Sequence, residues 1–230
     1  AFQPGSQFRY IVATDVLAHV IEKATGERLD DLLEAHLFTP LKMNDTGFRL
    51  AQESQDRLMP MFGVDNIRAL SPLNPPSAQT LTAIDVESMY PSSDSNFIRG
   101  GHGLFSTTSD YLKFSTMLLD GKTPDGDVLL SRTMLKMMQA NRIPANQLPL
   151  KIGIGALPGY GWGLSGRVMM DTGHAMSLTN NGEFGWAGAA ATYFWVDPSE
   201  AMVGVIMTQY LGSILPLSDE LRTAAYQMLD

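Results

Sequence analysis

Two places in this chain combine residue types with the means to do chemistry. Tyr10 follows a Pro4-Gly5 turn on a short segment ahead of a helical pattern, a placement from which its hydroxyl can point into a cleft. A phenol acts as a general base near neutral pH only where cations or hydrogen bonds to the phenolate offset its ordinary value of about 10. No Lys lies close in sequence, and Arg9 points away from Tyr10 if the backbone is extended there. By residue chemistry alone, Tyr10 is more often a half-buried packing aromatic. The second place is Gly185-Trp186-Ala187-Gly188-Ala189. A glycine such as Gly188 on a strand edge lets a substrate approach the backbone closely. The same run also reads as small residues leading a strand past a core tryptophan.

Other candidates are weaker. His102 sits in Gly100-Gly101-His102-Gly103, a run that suits an anion nest or simply a turn before a helix. His19, His36 and His174 have no metal-ligand spacing, so no metal and no cofactor is expected. No Ser is followed three residues later by Lys, and Gly-x-Ser-x-Gly is absent. Thr39 with Lys42 and Thr133 with Lys136 have that spacing with threonine and read as coincidences. The chain therefore offers no nucleophile of its own.

The elements that must position these residues follow from periodicity. Val12, Val16, Leu17, Val20 and Ile21 recur at helical spacing, and Thr25-Gly26 is a stop. Leu29, Leu32, Leu33 and Leu37 form a second stripe ended by Pro40, and the two helices are expected to pack as an antiparallel pair. Residues from about 50 to 100, broken by Pro60, Pro72, Pro75, Pro76 and Pro91, read as a long loop covering the site. Helices are predicted from a Thr108 cap to Gly121 and from Ser131 to Gln139. Tyr160–Met170, Ala190–Val196 and Met202–Tyr210 read as strands, the last buried on both faces, with a turn at Asp197-Pro198-Ser199. A closing helix capped by Ser218 should turn Leu221, Ala225 and Met228 inward. The fold class is α+β: part of a helical domain over residues 1–145, then an antiparallel sheet with a flanking C-terminal helix over 146–230.

Composition narrows the partners. A net charge of −8 argues against a nucleic-acid partner, which needs clustered Lys and Arg. No run of 18 apolar residues spans a bilayer. With no Cys there is neither a disulfide nor a thiol nucleophile, and cytoplasm, slightly favoured, and periplasm both stay open. The N-terminus carries no signal-peptide pattern and reads like the middle of a protein.

A set of ordered blocks adds a resemblance. Phe2 through Leu17, Pro40-Leu41-Lys42-Met43, Asp45-Thr46-Gly47-Phe48, Gly100 through Thr107, Gly161-Trp162-Gly163-Leu164, Gly185-Trp186-Ala187-Gly188, Trp195 through Pro198 and Thr208-Gln209 appear in sequence. Together they resemble the serine β-lactamase and penicillin-binding-protein superfamily, most closely the class C β-lactamase-like esterases (carboxylesterase family VIII). The resemblance implies an incomplete β-lactamase/transpeptidase-like fold whose Ser-x-x-Lys segment is absent from the chain. It makes Tyr10 the general base, and the Ala189 N–H half of an oxyanion hole. Trp162 and Trp186 would line an apolar acyl pocket, with Gly188 admitting the substrate. Two departures matter: Val12 replaces the Asn of Tyr-x-Asn, and Trp186-Ala187-Gly188 replaces Lys-Thr-Gly. An indole cannot attract a carboxylate as an ammonium does. The resemblance thus implies a serine carboxylesterase for small acyl esters, with β-lactam hydrolysis open as a side activity. The alternative is a non-catalytic, truncated or split unit that binds an acyl ligand. Loss of the serine-bearing segment would expose apolar faces, favouring a homodimer or association with that segment. Either way, Tyr10 and Ala189 are expected to face one cleft.

Overall fold

The structure, a computed structural model, describes residues 2–10, 12–64, 82–85, 98–152, 155–164, 166–213 and 215–229. Much of the expected covering loop lies outside these residues. Helices α1 (Ala13–Thr25), α2 (Leu29–Leu33) and α3 (Thr39–Leu41) come first, with a π-helical turn, Glu34–Phe38, between the last two. Strands β1 (Met61–Gly63) and β2 (Thr82–Ile84) precede helices α4 (Thr108–Asp120) and α5 (Arg132–Gln139). Strands β3 (Leu150–Ile152) and β4 (Gly155–Leu157) pair with each other. Five strands then form an antiparallel sheet in chain order: β5 (Tyr160–Trp162), β6 (Arg167–Met169), β7 (Phe184–Ala187), β8 (Tyr193–Asp197) and β9 (Met202–Ile206). Strand β10 (Tyr210–Leu211) leaves that sheet to lie parallel to β1, whose other edge holds β2, and α6 (Leu217–Tyr226) follows. The α+β class read from the sequence is the class that forms.

Alternation along β8 explains the two layers. Phe194 and Val196 join Phe38, Leu41 and Met43 and the α4 residues Met117 and Leu118 in the main core. Tyr193 and Asp197 point to the other face, where they meet Arg222 and Tyr226 of α6. Among the described strands, β8 alone is therefore buried along its whole length. Strand β9, expected to be buried on both faces, is only partly buried because it forms the edge of the described sheet. Its Gly204 lies opposite Trp195. A Cβ there would meet three indole atoms at 2.1–2.3 Å. Gly204→Ala is thus expected to destabilise the protein by about 1–3 kcal/mol, the usual cost of overpacking, as read by urea unfolding.

Several local expectations are corrected. In α1 the buried residue is Ala18, while Val16, Leu17 and Val20 are each more than half exposed. The cause is a backbone contact: Gly100 lies so close to the helix that a Cβ would stand 2.2 Å from the Thr14 carbonyl oxygen. Gly101 N–H donates to Asp15 at 3.0 Å beside it. The glycine run around His102 therefore serves helix packing. The Glu22 carboxylate of α1 accepts from Leu29 N–H at the start of α2 at 3.0 Å, while Leu33 and Leu37 of the apolar stripe pack against the main core.

Pro40 does not end its helix. It sits inside the continuous helical run 29–41, directly after the π-helical turn, and a left-handed Lys42 ends the run instead. Lys42 N–H returns to Thr39 O and Met43 N–H to Phe38 O, a Schellman stop. The α4 cap is Thr107, one residue earlier than expected. The segment Tyr160–Met170 is a hairpin rather than one strand, turned between Gly163 and Gly166. Leu221 in α6 and Met228 just beyond it are exposed and Arg222 is buried, because hydroxyl and carboxylate partners await its guanidinium.

Candidate active site

Tyr10 is placed by the residues before it. Gly5 adopts a left-handed turn, and its carbonyl accepts from the Gln147 side chain at 2.8 Å. Phe8 then packs into a second core with Leu150, Tyr160 and Met169. Phe8 and Tyr10 both touch Trp162, each with ring centroids 5.6 Å away, as alternate residues of an extended run should. Trp186 comes from β7. Its ring lies 5.0 Å from Tyr10 and 4.5 Å from Trp162, nearly perpendicular to the latter. The indole N–H of Trp186 donates to the Tyr10 hydroxyl at 2.9 Å.

Trp162 ends the edge strand β5, and its backbone is held from outside the sheet. Its N–H donates to the Asn141 side chain at 3.0 Å, and its carbonyl accepts from Arg142 N–H at 2.7 Å. Asn141 is a site-supporting residue that no sequence pattern marks. Beyond Ala187 the β7–β8 hairpin turns: Gly188 N–H donates to Thr192 O at 2.8 Å. A Cβ at Gly188 would stand 2.3 Å from the Thr192 hydroxyl, which would have to turn away to admit a larger residue. Ala189 is exposed at the tip, and its carbonyl accepts from Gly212 N–H at 3.0 Å. Its N–H has no acceptor among the described residues. The β5–β6 and β7–β8 turns lie at the same end of the antiparallel sheet. Tyr10, Trp162, Trp186, Gly188 and Ala189 therefore gather at that end.

The threonine–lysine pairs do not converge. The Thr39 hydroxyl donates to Glu34, whereas Lys42 pairs with Asp125. Thr133 and Lys136 are both exposed on α5. The His102 ring contacts the Arg99 guanidinium at 2.6 Å. A buried polar cluster missed by sequence reasoning supports the same strands. Arg222 donates to Glu183 at 2.7 Å, to the Tyr160 hydroxyl at 2.8 Å and to the Tyr193 hydroxyl at 3.2 Å. Arg167 lies 4.5 Å over the Tyr160 ring and donates to the Tyr193 hydroxyl at 2.6 Å. Burial pushes the Tyr193 phenol up to about 12, so it stays neutral.

The profile of the family described as beta-lactamase matches residues 1–227. The chain belongs to the β-lactamase family. Among relatives of this β-lactamase-family chain, Protein Rv1367c of Mycobacterium tuberculosis is 29% identical over 212 residues, covering 90% of this chain and 50% of that protein. Esterase EstB of Burkholderia gladioli is 27% identical over 240 residues, covering 98% of this chain and 56% of that protein. In structure the chain is similar to EstCE1, a hydrolase with promiscuous acyltransferase activity, with a TM-score of 0.78 at 24% identity. That match covers 98% of this chain and 57% of the other, and it supports the fold. The chain thus spans about half the length of the curated relatives it matches.

Two hollows, of about 500 Å³ beside Met176 and Thr223 and about 320 Å³ beside His19 and Arg28, are lined by none of the five gathered residues. Instead, Tyr10 is 45% exposed and Ala189 lies at the surface, so the aromatic group is open on one side. The shared cleft expected between them is, within these residues, an open wall.

Proposed function

We propose that this chain supplies the general base, one oxyanion donor and the acyl-pocket wall of a serine carboxylesterase. The nucleophile would belong to a Ser-x-x-Lys segment outside these 230 residues. The observation that carries the reading is the hydrogen bond from Trp186 to Tyr10, which joins two blocks 176 residues apart. In this mechanism the serine hydroxyl attacks the ester carbonyl and its proton passes to the pair formed by Tyr10 and the lysine of that segment. The Ala189 N–H holds the developing oxyanion, the alcohol leaves with that proton, and water releases the acyl group.

Trp162 and Trp186 present ring faces and edges where a lysine would present a charge, which suits neutral acyl groups over carboxylate-bearing lactams. Val12 offers no amide to a lactam side chain. The names of EstB and EstCE1 support ester acyl transfer in the family. A serine-directed fluorophosphonate should leave residues 1–230 unlabelled and should label, once per molecule, the polypeptide extended by the residues encoded upstream of Ala1. That longer protein should turn over a short p-nitrophenyl ester in preference to a chromogenic cephalosporin. Stoichiometric labelling of residues 1–230 alone would refute the division of labour, and a preference for the cephalosporin would refute the substrate class.

The exposed Val16, Leu17 and Val20 stripe favours one further reading, a split unit that associates with a second copy or with the absent segment. Sedimentation decides the homodimer: a dimer dissolved by Val16→Glu supports it, and a monomer removes it.

A further inference from the structure

We propose that Thr208 is a positioning residue for the Ala189 amide, aiming it through a chain of linked peptide planes. The inference rests on the reading of Ala189 as an oxyanion donor. The Thr208 hydroxyl donates to the Ala190 carbonyl at 2.5 Å, and Tyr210 N–H donates to the same oxygen at 3.2 Å. A trans peptide is planar with its C=O and N–H opposed, so fixing the Ala190 carbonyl fixes the direction of Ala191 N–H. That N–H donates to Gly188 O at 3.1 Å. The Gly188 carbonyl shares its plane with Ala189 N–H, which must then point the opposite way. The intervening plane is held independently, by Gly212 N–H on Ala189 O at 3.0 Å. All three carbonyls from Gly188 to Ala190 are thereby occupied. The Ala189 N–H has no acceptor among the described residues.

The turn needs this support. Ala191 has φ 57°, a left-handed conformation that a residue with a Cβ adopts only when its surroundings hold it there. The support is itself anchored from behind. Gln209 O accepts from Phe62 N–H at 2.9 Å, and β10 pairs with β1 immediately afterwards. Thr208 thus stands between a fixed strand pair and the hairpin tip, and its hydroxyl is the side-chain link between them. Thr208-Gln209 is one of the ordered blocks of the resemblance, but nothing local in sequence ties its hydroxyl to the hairpin tip.

The experiment uses the complete enzyme with its serine-bearing segment, comparing Thr208→Val with Thr208→Ser. Removing an oxyanion donor outright costs about 10²–10³ in kcat, so misaiming one should cost about tenfold. Thr208→Val is expected to lower kcat for p-nitrophenyl butyrate by that factor with KM changed by less than about twofold. Affinity for phenylboronic acid, whose serine adduct is tetrahedral, should fall in parallel, and Thr208→Ser should restore both. An unchanged kcat, an unchanged boronate affinity or a failure of serine to rescue would overturn the role.

If the unaltered enzyme neither hydrolyses the ester nor binds the boronate, the esterase reading fails. The geometry is then decided by hydrogen exchange. Thr208→Val should speed exchange of the Ala191 amide about tenfold, as expected when local opening becomes easier. Unchanged protection of that amide would overturn the linkage.

Discussion

Tyr10→Phe in the complete enzyme should lower kcat/KM for a short p-nitrophenyl ester by about 10²–10⁴, the range for loss of a positioned general base. The substitution isolates the oxygen. Phenylalanine keeps the ring contacts to Trp162 at 5.6 Å and to Trp186 at 5.0 Å and loses only the group that accepts the indole N–H. Because Tyr10 is 45% exposed, stability should change by no more than about 0.5 kcal/mol, so a folding defect would not mimic the result. Trp186→Phe is the companion. It preserves an apolar wall but removes the donor that holds the Tyr10 oxygen in place. A hydrogen bond of this kind contributes about 0.5–1.5 kcal/mol, so this variant should lose about two- to tenfold in rate. Burst kinetics place the defect: loss of the rapid acylation phase in Tyr10→Phe supports the role, and an intact burst at the original rate removes it.

The parts of the fold legible in the sequence are those set by local patterns. Helix α5 begins after the Ser131 cap and α4 ends at a left-handed Gly121, as their residues imply. The aromatic group was legible only through the ordered blocks of the family. Nothing local connects Tyr10 with Trp186, and the contact depends on Phe8 being drawn into a distant core. The failures share a cause. The Val16–Val20 stripe and the α6 leucine pattern are apolar at helical spacing, but periodicity names a face without naming its partner. In α1, close backbone approach at Gly100 decided the buried face. In α6, an arginine with carboxylate and hydroxyl partners displaced a leucine from the inner face. The supporting residues Asn141 and Thr208 act through their hydrogen bonds to backbone groups far away in sequence, which composition does not reveal.

The largest stability effect is expected at Arg222. Its side chain is 3% exposed and that of Glu183 is 1% exposed, and their contact is 2.7 Å. Taking one partner away leaves the other charge stranded in a low-dielectric interior, which costs about 3–5 kcal/mol. Arg222→Ala should therefore lower the free energy of urea unfolding by that amount. The double variant Arg222→Met with Glu183→Gln should recover most of it, since both charges are then gone and the volume is filled. Equal losses in the single and double variants would show that packing, rather than the stranded carboxylate, sets the cost.

Acid supplies a second axis. Burial pulls the Asp197 carboxyl upward, but hydrogen bonds from Ser199, Tyr226 and Asn180 outweigh it and hold the group below its ordinary range. A carboxyl depressed in the folded state stabilises fully above its unfolded value of about 3.9 and loses that contribution as pH falls through the folded value. Asp197→Asn should flatten the acid limb of stability against pH, an effect Arg222→Met with Glu183→Gln should leave in place. The consequence for the site is direct. Trp162 and Arg167 are cross-strand partners on the β5–β6 hairpin, so the polar cluster and the Trp162 indole stand on one face. Arg222→Ala should accordingly broaden the Trp162 environment before global unfolding, visible as a tryptophan fluorescence change at urea concentrations below the far-ultraviolet circular dichroism transition. Coincident transitions would mean that the cluster holds the whole sheet rather than this hairpin.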